Sequence, residues 1–240
     1  MGHLVRAASL AMLGISIASA SAAAAVLVVR SSGPSAKAFP AGKALTDSQS
    51  ISLKANDMLV LLDSRGTRTL RGPGTFSASA SAAASGSAIS AVTAQNNNRR
   101  VRIQAVRGGP TGATRGRNVW QADLARSGTV CVASPADLGL YRAGASGEAD
   151  AIVKDETSGK SSAVHFEPGQ SIASWPDDLP VASGGKFRVT GVGSTPTMLE
   201  IRMLSPVPAG LEGMAQSFIR NDCQAQLDVL IDTFTSPSAS

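Results

Sequence analysis

The chain has 240 residues, a formal net charge of +5, only 4% aromatic residues, 24 glycines and two cysteines. That length suits one large domain or two small ones, and the composition favours short strands around small cores over a large helical enzyme. Beyond His3 the only histidine is His165, which leaves little from which to build a zinc site or a neutral-pH acid–base pair.

Arg6 is the only charged residue in positions 1–29, and an uncharged run follows from Ala7 to Val29. Its more apolar part, Ala7 to Ala18, leads into Ala18-Ser19-Ala20-Ser21-Ala22. A basic start, an apolar core and an A-x-A tract predict a secretory signal over residues 1–22, cleaved after Ala20, Ala22 or Ala24. The competing reading is an uncleaved anchor, since a run this long can span a bilayer and would bring the chain into contact with the membrane. The Ala and Ser in its middle contribute little to insertion and favour cleavage. No cysteine follows the apolar core, which argues against a lipid-modified terminus.

Residues 23–76 carry strand signals at short intervals. Val26 to Val29 is apolar and β-branched, and Ser31-Ser32-Gly33-Pro34 punctuates it. Ile51-Ser52-Leu53 alternates, Ala55-Asn56-Asp57 turns, and Met58 to Leu62 is a continuous apolar run of strand length. Asp63-Ser64-Arg65-Gly66 turns again, Thr67 to Leu70 alternates, and Arg71-Gly72-Pro73-Gly74 closes the unit. Turn chemistry every eight to ten residues predicts antiparallel β structure.

The run Ile51 to Gly74, with its apolar strand, Asn-Asp turn, second strand, glycine turn and strand ending at Gly72-Pro73, resembles the repeat of FecR-type periplasmic β domains. The resemblance covers about residues 51–74. It implies a small antiparallel β domain on the outer side of an inner membrane.

Residues 77–118 differ in kind. Ser77-Ala-Ser-Ala-Ser-Ala-Ala-Ala-Ser-Gly-Ser-Ala is low-complexity and has nothing with which to fill a core, so a flexible linker is expected. The segment continues through Arg99, Arg100, Arg102, Arg107, Arg115 and Arg117 without an acidic residue. Guanidinium groups bind phosphate and carboxylate in bidentate fashion, which makes these six arginines the candidate anion-binding residues. Charge divides at this point. From Ser21 to Asn118 there are 13 Lys and Arg against 3 Asp and Glu; from Val119 onward there are 8 against 14. The split predicts two units with different surfaces, or one unit with a basic arm. Such an arm either solvates a linker, holds an anionic partner, or docks on the acidic half of the same chain.

Strand-like runs return over residues 119–207: Gly128 to Ala133, Leu138 to Arg142, Asp150 to Val153, Ser162 to Phe166, Lys186 to Thr190 and Met198 to Arg202. Short strands in this number predict a β-sandwich. Residues 208–236 predict one amphipathic helix that begins at Pro208, where a missing N–H costs nothing. Leu211, Met214 and Phe218, then Ile219, Cys223, Leu227, Leu230 and Phe234, recur at three- and four-residue spacing. Cys223 falls on that stripe and Cys131 inside a strand, so a disulfide between Cys131 and Cys223 is expected to pin helix to sandwich. An exported compartment would keep it oxidised.

The sequence holds little that points to catalysis. His165 alternates with Val164 and Phe166 as a half-exposed strand residue does. No serine lies in a G-x-S-x-G elbow or an S-x-x-K motif, and Gly184-Gly185-Lys186-Phe187 lacks the spacing of a phosphate loop. Glu148, Asp150, Asp155 and Glu156 surround a loop without the spacing of an EF-hand. Trp120 and Trp175 read as core residues. No enzymatic activity, cofactor or metal is expected. The fold expected is mainly β: a small FecR-like unit, a basic linker, and a β-sandwich with a C-terminal amphipathic helix. The leading function is an exported binding or accessory module of a bacterial envelope, periplasmic or secreted, contacting a membrane sensor or transport component. The alternative is a structural envelope protein tethered by its arginines to lipopolysaccharide or another anionic polymer. Nucleic acid is not an expected partner of an exported chain.

Overall fold

The computed structural model describes residues 26–79 and 117–235, and across them the chain is mainly β. The expected signal and most of the arginine-rich segment lie outside the described residues. The first six strands are β1 (Val26–Ser32), β2 (Ala44–Leu45), β3 (Ser50–Leu53), β4 (Met58–Asp63), β5 (Gly66–Arg71) and β6 (Gly74–Ser77). An antiparallel sheet is ordered β2-β1-β4-β5, and β3 pairs with β6 in a second, two-stranded layer.

The apolar runs of β1 and β4 lack alternation because both faces of this sheet are covered. Val26, Val28, Leu59 and Leu61 face one core with Ile51 and Leu53 of β3. Leu27, Val29, Val60 and Leu62 face another, shared with the C-terminal helices. A strand buried on both sides reads as an unbroken apolar run. Each such side chain contributes about 1.5–3 kcal/mol relative to exposure.

Eight further strands follow: β7 (Gln121–Asp123), β8 (Gly128–Val132), β9 (Gly139–Tyr141), β10 (Ala149–Asp155), β11 (Ser161–Phe166), β12 (Ile172–Ser174), β13 (Lys186–Thr190) and β14 (Thr197–Met203). A five-stranded sheet is ordered β11-β10-β13-β14-β8, and a three-stranded sheet β12-β9-β7. The pairs β14–β8 and β7–β9 are parallel and the rest antiparallel. The two sheets share one core, in which Val153, Phe166, Phe187, Leu199 and Ile201 meet Leu140, Trp175 and Leu179. Here strict alternation holds. In β10, Ala151 and Val153 are buried while Asp150, Ile152 and Lys154 are exposed.

The C-terminal region departs from the single helix expected over residues 208–236. It forms two helices, α1 (Gly210–Arg220) and α2 (Gln224–Thr233). Pro208 precedes the first helix instead of opening it, and Cys223 is the residue before α2 rather than part of a helical stripe. Asn221 and Asp222 cause the break. Asp222 adopts a left-handed φ of 56°, and the N–H groups of Asp222 and Cys223 turn back to the carbonyls of Ile219 and Phe218 at 3.3 and 2.9 Å. That is a Schellman closure with an Asp in place of the usual glycine, and the Asn221 side chain adds a hydrogen bond to the Ser217 carbonyl at 2.9 Å.

The two helices sit between the N-terminal sheet and the β7–β8 region, so residues from both halves of the chain share one core. Asp228 of α2 forms ion pairs with Arg30 of β1 and, at 2.7 Å, with Arg126 of the β7–β8 loop. Beyond α2, Phe234 and Thr235 lie along β5. The Thr67 N–H donates to the Phe234 carbonyl at 2.9 Å, and Thr67 forms a parallel bridge to Thr235. Gly66 permits this approach, since a Cβ there would stand 2.7 Å from the Phe234 carbonyl oxygen.

Candidate functional site

The best-formed site candidate is built on the helix pair. Cys131 and Cys223 are joined by a disulfide with Cα atoms 5.9 Å apart, both fully buried. Within β8 the neighbours Val130 and Val132 face the two-sheet core, so Cys131 points to the opposite side. There it meets the turn between α1 and α2.

Gln226, one turn into α2, completes the join. Its side-chain oxygen accepts from the Cys131 N–H at 2.6 Å, and its amide nitrogen donates to the carbonyls of Cys131 and Val119, the former at 2.7 Å. The carboxamide thus acts as a short strand partner for the open edge of β8. Buried backbone groups left unpaired cost about 1–3 kcal/mol each, which explains a 2% exposed glutamine in an apolar core.

Beside this join opens a cleft of about 410 Å³. Its floor is Trp120, Leu211, Met214, Leu230 and Phe234, and its mouth carries the half-exposed Val207 together with Ser134 and Asp137. A volume of this order suits a small ligand or a few side chains of a partner. Trp120 packs edge-on against Phe218 with ring centroids 6.3 Å apart, so it serves both as core and as wall. Trp175 does not line this cleft. It packs edge-on against Phe187, and its indole N–H donates to the Leu179 carbonyl at 2.9 Å.

Of the six candidate anion-binding arginines, Arg99, Arg100, Arg102, Arg107 and Arg115 lie outside the described residues. Arg117 is described and is turned inward. Its guanidinium pairs with Asp123 at 2.6 Å and lies 4.6 Å from the centre of the Tyr141 ring. Its charge is thus committed to the acidic half of the same chain.

His165 sits on the exposed face of β11, 2.7 Å from Asp150 and 3.5 Å from Glu167. The hydrogen bond to Asp150 raises the imidazole pKa above its ordinary value against a desolvation penalty, and the charges of Asp150, Glu167 and Glu148 add to the rise. Asp155 is capped by the Ser158 hydroxyl at 2.6 Å and the Thr157 N–H at 2.9 Å, which hold its carboxyl below the usual range. Glu156 binds Arg188 through both of its oxygens. Among the described residues no group of three His, Cys, Asp or Glu is placed to hold a metal ion, and no helix is long and apolar enough to cross a membrane.

Sequence reasoning found the apolar stripe that floors the cleft, because Leu211, Met214, Leu230 and Phe234 share helical spacing. It missed Gln226 and Asp228. Their only signal is polarity one residue to either side of the stripe residue Leu227, which a solvent-facing helix would show equally.

No protein-family model, curated protein or solved structure matches this chain.

Proposed function

We propose that the chain is an exported binding or accessory module of a bacterial envelope, without catalytic activity of its own, that engages a membrane sensor or transport component through the cleft beside the disulfide. The observation that carries this reading is an apolar cleft lined by the two helices that the buried Cys131–Cys223 bond pins to β8. A buried disulfide is retained in an oxidising, extracytoplasmic compartment, and a rigid apolar recess is the usual means of holding a partner's side chains. In this reading residues 23–76 belong to the small FecR-like unit and residues 119–207 to the β-sandwich.

The alternative, a structural protein tethered to lipopolysaccharide or another anionic polymer, draws on one detail. Arg117 is anchored by Asp123 and Tyr141, which would fix the base of the basic arm against the body of the protein.

Crosslinking in the intact envelope, comparing wild type with Val207→Glu at the cleft mouth, separates the two. A single protein partner that survives high salt and is lost in Val207→Glu supports the module. Recovery of salt-labile polysaccharide alone, unchanged by Val207→Glu and lost when Arg99 to Arg115 are replaced by Ser, supports the tether. Reduced cysteines in a cytosolic protein would overturn both.

A further inference from the structure

The strand β11 closes one end of the five-stranded sheet and, among the described residues, pairs only with β10. Its phase is fixed by the hydrogen bond from the Asp155 N–H to the Lys160 carbonyl at 2.9 Å. Bonded and non-bonded pairs alternate along an antiparallel ladder. Ser162, Val164 and Phe166 therefore direct their backbone groups to β10. Ser161, Ala163 and His165 direct theirs outward, where no backbone partner stands among the described residues. Natural sheets blunt such an edge with lysine, proline, a bulge or a covering element. Within Ser161–Phe166 there is no lysine or proline, and the β10–β11 register runs without a bulge.

The exposed face next to this edge is arranged in three rows that run across the strands. Lys154 lies opposite Ser161 and beside Arg188, whose charge Glu156 already pairs, so Lys154 carries the basic row. Ile152 lies opposite Ala163 and beside Thr190, forming an apolar row, and Ile152 is 49% exposed. Asp150 lies opposite His165, with Glu167 next to it, forming an acidic row.

We infer that β11 is a self-association edge, and that its partner is β11 of a second copy of this chain, antiparallel about a twofold axis at Ala163. That register pairs outward-facing backbone with outward-facing backbone and keeps the exposed faces of the two sheets on the same side. Ala163 meets its own copy, and the apolar row continues as Ile152, Ala163, Ala163 and Ile152. Ser161 meets His165 of the other copy, so each basic row runs into the partner's acidic row. A twofold interface must be self-complementary, and this order of rows is: basic, apolar, acidic reads against acidic, apolar, basic. The small side chains of Ser161 and Ala163 allow the strands to approach to ladder distance. An extended peptide from another protein would also satisfy the backbone but has no reason to match the rows.

Sedimentation velocity of the full, disulfide-intact chain over a range of concentrations tests the inference. Wild type is expected to show twice the chain mass, and Ala163→Glu, which sets two carboxylates against each other on the axis, half of that. Ala163 is exposed, so Ala163→Glu should keep the wild-type near-UV spectrum. Should it fail to fold, the charge rows decide instead. Lys154→Glu and Asp150→Lys should each weaken dimerisation, and the double variant should recover it, because exchanging the rows restores their complementarity. A wild type that stays monomeric, an Ala163→Glu variant that stays dimeric, or a double variant weaker than both singles would each overturn the inference, as would an edge occupied by another protein.

Discussion

The sheet of β1, β2, β4 and β5 and the sheet of β8, β10, β11, β13 and β14 solve the same problem in opposite ways. The first is covered on both faces, by the β3–β6 layer and by the helices, and its central strands are continuously apolar. The second is covered on one face over β10 and β11 and shows charged residues on the other. The first therefore depends on distant parts of the chain to be complete, whereas the second carries most of its own core. Stability should be concentrated where the helices join the two, and surface function where one sheet is left open.

The strongest way to break that contrast is to cut the covalent link. Replacing Cys131 and Cys223 together by alanine should cost about 4–5 kcal/mol on the chain-entropy estimate for a loop of this length, read from urea unfolding. Both sheets should be affected, but protection from hydrogen exchange should fall further in β1 and β4 than in β10. A second test is Leu62→Ala, which opens a cavity in the doubly covered sheet and should cost about 2–5 kcal/mol. Gln226→Ala should cost roughly 2–3 kcal/mol, because it leaves backbone groups of Cys131 and Val119 buried without partners, and the Cys131 amide should become the marker of exchange. At the other extreme, Ile152→Thr on the open face should change monomer stability by no more than about 0.5 kcal/mol; a larger loss would mean that this face is covered after all.

The smallest expected effect is a pH dependence with a defined sign. Because the folded-state pKa of His165 is raised, its pairing with Asp150 stabilises the fold fully below the unfolded value of about 6.5 and ceases to do so as pH rises through the folded value. Thermal unfolding of wild type and His165→Gln should differ in acid and converge in alkali. Asp57 runs the other way. Burial pushes its carboxyl up, but hydrogen bonds from Ser35 and Lys54 outweigh this and leave it low. Its contribution is present above the ordinary carboxylate pKa and is lost as pH falls through the folded one.

Much of this architecture was legible in the residues. Strand-like runs at Asp150 to Val153 and Lys186 to Thr190 located β10 and β13, and turn residues bounded β4 and β5. The strands β2, β6, β7 and β12 were not legible: they are two to four residues long, and none has two large apolar residues at alternate positions as Ile51 and Leu53 are in the equally short β3. The helix break escaped because Cys223 keeps helical spacing from Ile219 and Leu227 while the backbone between turns back on itself. The pairing of the cysteines followed from chemistry. The cleft did not, because apolar residues that line a recess and those that fill a core carry the same pattern. What distinguishes them is where Val207 and the Pro135–Asp137 turn happen to lie.

The bridge between Thr67 and Thr235 has a consequence in time as well as in space. The helix-side face of β1 and β4 is synthesised before the residues that cover it, from Leu211 to Phe234, which follow only after β5 to β14. Until they arrive, Leu27, Val29, Val60 and Leu62 stay exposed, and the contacts that close the structure are among the most distant in the sequence. Such contacts form slowly. The helix-side face of this sheet therefore cannot be completed while the residues of α1 and α2 are still being made.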